Sequence, residues 1–104
     1  MSIIKILLKN NFKGSINNQV RQSYYVKDIK RISNKFNLDN IGSYWNKDIT
    51  GVYTLFECKS IEDWELFIKS KEYIHVKTTY KDVLNSENID YLYKTSNIDE
   101  MFLL

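Results

Sequence analysis

Two residues stand out first because each occurs once: His75 and Cys58. One histidine and one cysteine cannot build a zinc site of the Cys/His type, so no metal is expected. His75 is the natural general base near neutral pH. It sits in a stretch where Tyr73, Val76 and Tyr80 repeat at helical spacing, and at 100° per residue it lies roughly 200° round from Tyr73. That angle turns it to solvent, so a catalytic role depends on a helix break that rotates it inward. Cys58 closes an apolar strand pattern with no histidine or cationic cluster beside it to hold a thiolate, so it reads as a small buried hydrophobe on a pocket wall rather than a nucleophile. Glu57, Glu62 and Asp63 read as exposed or capping carboxylates. The run Ser60-Ile61-Glu62-Asp63 has the spacing of a capping box, which accounts for Asp63.

The remaining chemistry belongs to aromatic side chains. Tyr25, Trp64, Phe67 and Tyr73 fall at helical positions on apolar faces. Such a layer stacks against flat ligands, while tyrosine hydroxyls and the indole N–H supply hydrogen bonds. Tyr25, Trp64 and Tyr73 are therefore the candidate catalytic residues, with His75 beside them. Ile6, Leu8, Thr54, Phe56, Cys58 and Phe67 are the candidate substrate-binding wall, and Ile4 and Val52 share its face. The same residues would equally make an ordinary core, since buried aromatics mostly do.

Composition limits the alternatives. A chain of 104 residues suits one domain, 1–104, with one modest core. With 43% hydrophobic and 27% charged residues it reads as globular. The apolar run from Ile3 to Leu8 is interrupted by Lys5 and is far short of the roughly 20 residues of a membrane span. It also lacks a basic leader and a cleavage site, so the expected location is the cytoplasm and no membrane partner is expected. The formal charge of +2 is small and dispersed, which argues against a nucleic-acid partner. Gly14, Gly42 and Gly51 lie too far apart for a phosphate-cradling loop, so no nucleotide or flavin cofactor is expected.

Positioning these residues requires a particular order of elements. Ser2 to Lys9 alternates as a strand, with Ile4, Ile6 and Leu8 on one face. Asn10 to Asn18 reads as a polar loop, in which Ser15 or Asn17 would cap a helix. Tyr25, Ile29, Ile32 and Phe36 then recur at spacings of four, three and four, an amphipathic helix reaching Leu38. Ile41 to Trp45 and Gly51 to Cys58 form a hairpin around Asn46-Lys47-Asp48. A short helix starts at Ser60, and Ser70 with Glu72 restarts it at a new angle. After a polar loop at Asn85 to Asn88, Ile89 to Thr95 alternates as the last strand.

The order β-α-β-β-α-(α)-β predicts an α+β fold, a ferredoxin-like four-stranded antiparallel sheet with helices on one face. Ile3, Leu7, Tyr53 and Leu55 would leave the other face more apolar than a solvated surface. Pairing two sheets into a homodimer covers it, and the apolar tail Met101-Phe102-Leu103-Leu104 would clasp the partner.

This order, with Gly51-Val-Tyr-Thr-Leu-Phe-Glu57, Ser60-Ile-Glu-Asp-Trp64 and the broken helix after it, resembles the dimeric α+β barrel superfamily, nearest to its small antibiotic-biosynthesis mono-oxygenase-like members. The resemblance covers most of the chain as a pattern of apolar positions. It implies a homodimeric barrel whose pocket lies between helices and sheet. The similar quinone-forming mono-oxygenases carry Asn and Trp on the strand and Tyr on the helix; the matching positions here hold Thr54, Cys58 and Trp64. In haem-degrading relatives the iron ligand is a histidine, and its counterpart here is Lys77 rather than His75, which argues against haem.

The leading expectation is a cofactor-independent mono-oxygenase-like enzyme acting on an aromatic or polyketide-like small molecule. A cyclase or isomerase on the same frame is one alternative. A non-catalytic dimeric stress-response or small-ligand-binding barrel, with a filled interior, is the other. RNA binding by the open sheet is disfavoured, because the basic and aromatic strand motif is missing.

Overall fold

The computed structural model describes residues 3–13 and 19–92. The expected cap at Ser15 or Asn17, the end of the last strand beyond Leu92 and the tail Met101 to Leu104 lie outside the described residues.

Strand β1 (Ile4–Phe12) is central because every second residue suits a buried face: Ile6, Leu8, Asn10 and Phe12 are all buried. It pairs antiparallel with β3 (Gly51–Cys58) on one side, from Ile4 opposite Cys58 to Asn11 opposite Gly51. On its other side it pairs antiparallel with β4 (Leu84–Leu92), from Lys5 opposite Leu92 to Asn11 opposite Ser86. Strand β2 (Asp39–Trp45) adds to β3 as an edge, giving the order β2-β3-β1-β4. This is the four-stranded antiparallel sheet of the ferredoxin-like fold. Gly51 is needed where β3 meets β1, since a Cβ there would stand 2.5 Å from the Asn10 carbonyl oxygen.

Helix α1 (Gln19–Ser33) lays Gln22, Tyr25, Ile29 and Ile32 on the sheet, the stripe expected from the 3.6-residue period. A 3-10 turn, Asn34–Phe36, follows, and Asn37 in the left-handed region (φ 58°) releases the chain into β2. Asn tolerates that conformation better than most residues. Helix α2 (Ile61–Ile68) buries Trp64 and Phe67, and α3 (Lys71–Thr79) buries Tyr73 and Val76. Ser70 makes the break between them: its Oγ accepts the Tyr73 N–H at 3.1 Å and donates to the Phe67 carbonyl at 2.6 Å.

Three local expectations are corrected. The first strand runs on to Phe12 and the last begins at Leu84, so Asn10 to Phe12 and Asn85 to Asn88 are sheet rather than loop. Their polar side chains satisfy one another across the strands, Asn11 Nδ2 donating to Ser86 Oγ at 3.0 Å and Asn10 Nδ2 to Glu87 Oε1 at 3.2 Å. The cap of α2 is closed by Glu62 rather than Asp63, since Ser60 Oγ accepts the Glu62 N–H at 3.2 Å and donates to its carboxylate.

The face away from the helices carries half-buried Leu7, Tyr53 and Leu55 at its centre. Around them Lys9 pairs with Asp90 at 2.6 Å and Lys5 with Glu57 at 3.6 Å.

Candidate functional site

The sheet register places Asn10 of β1 directly opposite Glu87 of β4, both on the helix-facing side. Tyr25 of α1 and Tyr73 of α3 reach the same point from above, and Lys77, one helical turn after Tyr73, joins them. The Tyr25 hydroxyl donates to Asn10 Oδ1 at 3.0 Å. Asn10 Nδ2, the Tyr73 hydroxyl and Lys77 Nζ all donate to one oxygen, Glu87 Oε1, the lysine at 2.6 Å. The Lys77 ammonium also stands 5.7 Å from the Tyr25 ring centre and 5.8 Å from that of Tyr73.

Burial governs the electrostatics here. Asn10 is 1% exposed and Tyr25 and Tyr73 are buried. Burial raises both phenol pKa values far above the ordinary range, and the nearby Glu87 charge raises them further. The phenols are therefore neutral hydrogen-bond donors. The three donors are directed at Glu87 Oε1, so the carboxylate is held in place by an amide, a phenol and an ammonium. Glu87 and Lys77 also line an open cavity of about 280 Å³ with Lys81, Leu84, Asn85 and Ser86.

The structure brings together two of the four candidate catalytic residues, Tyr25 and Tyr73, through Asn10 and Glu87. Trp64 stands apart, fully buried, with its ring centre 5.4 Å from both Phe56 and Phe67; its Nε1 has no hydrogen-bond partner among the described residues. Phe67 in turn lies edge-on to Tyr73 at 4.9 Å and to Phe36 at 5.7 Å. Ile6, Leu8, Phe56 and Phe67 are fully buried within this aromatic layer. The Thr54 hydroxyl is taken up by Ser43 at 2.9 Å. Cys58 is buried at the far end of the sheet, where burial raises its thiol pKa, and it borders a second open cavity of about 550 Å³ walled by Asp39, Glu57, Lys59 and Asp63. His75 is exposed on the outer side of α3, as its helical angle predicts, and takes no part in the Glu87 cluster. Lys77, at the position the resemblance equates with a haem-iron ligand, is bonded to Glu87 instead.

Asn10, Lys77 and Glu87 are absent from the candidates drawn from sequence. For Asn10 a signal existed: the alternation Ile4, Ile6, Leu8 continues through Asn10 to Phe12, which marks Asn10 as a polar residue on a buried face. Lys77 lies four residues after Tyr73, within reach on one helix face. Glu87 shares the alternation of Ile89 and Tyr91, but that signal is hidden when Asn85 to Asn88 is read as a loop, and the register of β4 against β1 sets it opposite Asn10.

No protein-family model matches the sequence, and a search of curated proteins finds no match. Solved structures do match in fold. A conserved protein from Methanosarcina mazei Go1 superposes with a TM-score of 0.74 at 16% identity, over 91% of this chain and 95% of that one. A "putative antibiotic biosynthesis monooxygenase" from Nitrosomonas europaea gives 0.72 at 10% identity, over 89% and 90%. A dimeric protein of unknown function and ferredoxin-like fold from Bacteroides fragilis gives 0.71 at 12% identity, over 88% and 96%. At these identities the likeness is one of fold.

Proposed function

We propose that this chain is a cofactor-independent enzyme that begins its reaction by taking a proton from an aromatic or polyketide-like small molecule, in the manner of a mono-oxygenase or of a cyclase or isomerase. The observation that carries this reading is the convergence of a tyrosine hydroxyl, an amide and an ammonium on Glu87, a carboxylate on the wall of an open cavity. Glu87 accepts the proton on Oε2, the oxygen that takes none of these three bonds, and the remaining N–H groups of Lys77, which shares the cavity wall, stabilise the enolate or phenolate left behind. In the oxygenase form the carbanion of a CH2 group adds to dioxygen, and the hydroperoxide loses water to leave a carbonyl. The similarity in fold to the Nitrosomonas europaea protein is consistent with that form.

The working unit in this proposal is a homodimer formed through the outer sheet face. Its centre of Leu7, Tyr53 and Leu55 is bordered by charges of both signs, which suits pairing with a second copy. Sedimentation of the wild type as a dimer and of Leu55→Glu as a monomer is expected; a monomeric wild type rejects the dimer.

The enzymatic reading is tested by oxygen uptake on a panel of single-ring hydroquinones and cyclic 1,3-diketones, with anthrones as larger members, paired with deuterium incorporation from heavy water. Uptake above buffer supports the oxygenase form, and deuterium incorporation without uptake supports the cyclase or isomerase form. Neither signal across the panel rejects catalysis. It would favour a second reading, a non-catalytic dimeric binding or stress-response barrel, which has one observation behind it: Phe36, Phe56, Trp64, Phe67 and Tyr73 pack ring against ring through the helix–sheet layer.

A further inference from the structure

We infer that the cavity beside Glu87 takes a small anionic substrate, a single-ring phenol or enol bearing a carboxylate, with Lys81 holding the carboxylate at the rim. This rests on the proton-accepting role proposed for Glu87 and narrows its substrate class.

Charge balance is the first argument. The cavity wall carries two cations, Lys77 and Lys81, and one anion, Glu87. Lys77 is taken by Glu87 at 2.6 Å. Lys81 is exposed and makes no ion pair among the described residues; the neighbouring carboxylate, Asp82, is held by Arg21 at 2.8 Å. One positive charge is left over on a wall shared with the proposed base. A substrate with one carboxylate balances it, whereas a doubly negative substrate would leave an excess anion beside Glu87.

Shape and wall chemistry give the second argument. About 280 Å³ is at the lower edge of the roughly 300–1,000 Å³ usual for drug-sized ligands, so it suits one substituted ring rather than a fused polycycle. Leu84 offers the ring an apolar contact, and Asn85 and Ser86 offer polar ones, on the wall that also carries Lys77, Lys81 and Glu87. Lys81 stands in the turn that follows the end of α3 at Thr79, on the same cavity wall as Glu87. A ring seated in this cavity can turn an anionic substituent toward Lys81 and an acidic proton toward Glu87, as a para-substituted phenol does.

The test compares 4-hydroxybenzoate with 4-hydroxybenzamide, its neutral analogue, by NMR titration of the full chain. The expected result is that the carboxylate binds about fivefold more tightly at low salt, within the range of an exposed charge pair, and that raising the salt shrinks the preference. Lys81→Gln should abolish the preference, while Lys59→Gln, at the other end of the sheet, should leave it intact. Equal affinity for the two probes, a preference that survives Lys81→Gln, or no binding of either probe at millimolar concentration would overturn the inference. Because binding is read without turnover, failure here is separable from failure of the proton-transfer reading. An anion preference in a protein whose Glu87→Gln variant turns over normally would retain the binding site and remove the base.

Discussion

Asn10 and Glu87 face each other across β1 and β4, and the Asn10 amide donates to Glu87 Oε1 at 3.2 Å while its oxygen receives the Tyr25 hydroxyl at 3.0 Å. One side chain thus joins the phenol of α1 to the carboxylate of β4. Asn10→Leu strands a buried hydroxyl, so a loss of about 1–3 kcal/mol in urea unfolding is expected. Adding Tyr25→Phe removes the stranded group and should return part of that loss, giving a coupling energy of at least about 0.5 kcal/mol between the two sites. Additive effects would show that the bond contributes nothing.

Trp64 supplies a contrast. Its indole N–H is fully buried with no partner among the described residues, so Trp64→Phe removes volume but breaks no hydrogen bond within them. Trp64→Phe should cost less than about 2 kcal/mol, against about 3–5 kcal/mol for Trp64→Ala. If turnover falls at least tenfold in the Phe variant while its unfolding midpoint hardly moves, the indole N–H acts on substrate. Turnover that tracks stability alone would assign Trp64 to the core.

The aromatic layer and the helix faces were legible because both rest on local periodicity. Tyr25, Ile29 and Ile32 fall on one stripe, and the 200° offset of His75 from Tyr73 places it on the outer side. The polar cluster was harder to read, since Asn10 and Asn85 to Asn88 look like loop sequences when each is taken alone. They are strand because they pair with one another over some 75 residues of separation, the Asn11 to Ser86 bond being one instance. Glu87 stands opposite Asn10 through register, a long-range property that alternation within β4 alone does not fix.

Alkaline pH should unfold the protein before several of its tyrosines ionise. Burial raises the phenol pKa of Tyr25 and Tyr73 well above 10, and burial with a 2.7 Å bond to Asp28 raises Tyr80 to about 12. An acid whose pKa is higher folded than unfolded favours the folded state below the unfolded value near 10. That contribution is lost as pH climbs through the folded value. Stability should be flat below about pH 9 with respect to these groups and fall above 10. An ultraviolet titration should show Tyr25, Tyr73 and Tyr80 ionising together with loss of the folded far-ultraviolet signal; ionisation of all the tyrosines near pH 10 with the fold intact would contradict it.

The β2–β3 turn offers a stabilising change. Ile49 has φ 56°, a region where a β-branched residue is strained, while Asn46 organises the turn by accepting the Thr50 N–H at 2.8 Å. Ile49→Asn relieves that strain at an exposed position and should raise stability by about 1 kcal/mol, a rise of several degrees in Tm for a domain of this size. An unchanged or lower Tm would mean that Ile49 is supported by contacts outside the turn.

The most direct test is the rate of substrate proton removal in Glu87→Gln beside the wild type, followed by deuterium exchange at the acidic C–H of a turned-over substrate, since an O–H exchanges with water unaided. The variant keeps a side chain of nearly the same shape, and circular dichroism checks that it is folded. Loss of the carboxylate is predicted to slow exchange at least about 100-fold, the lower end of what a positioned general base contributes. An exchange rate within twofold of the wild type in a folded Glu87→Gln protein would contradict the account.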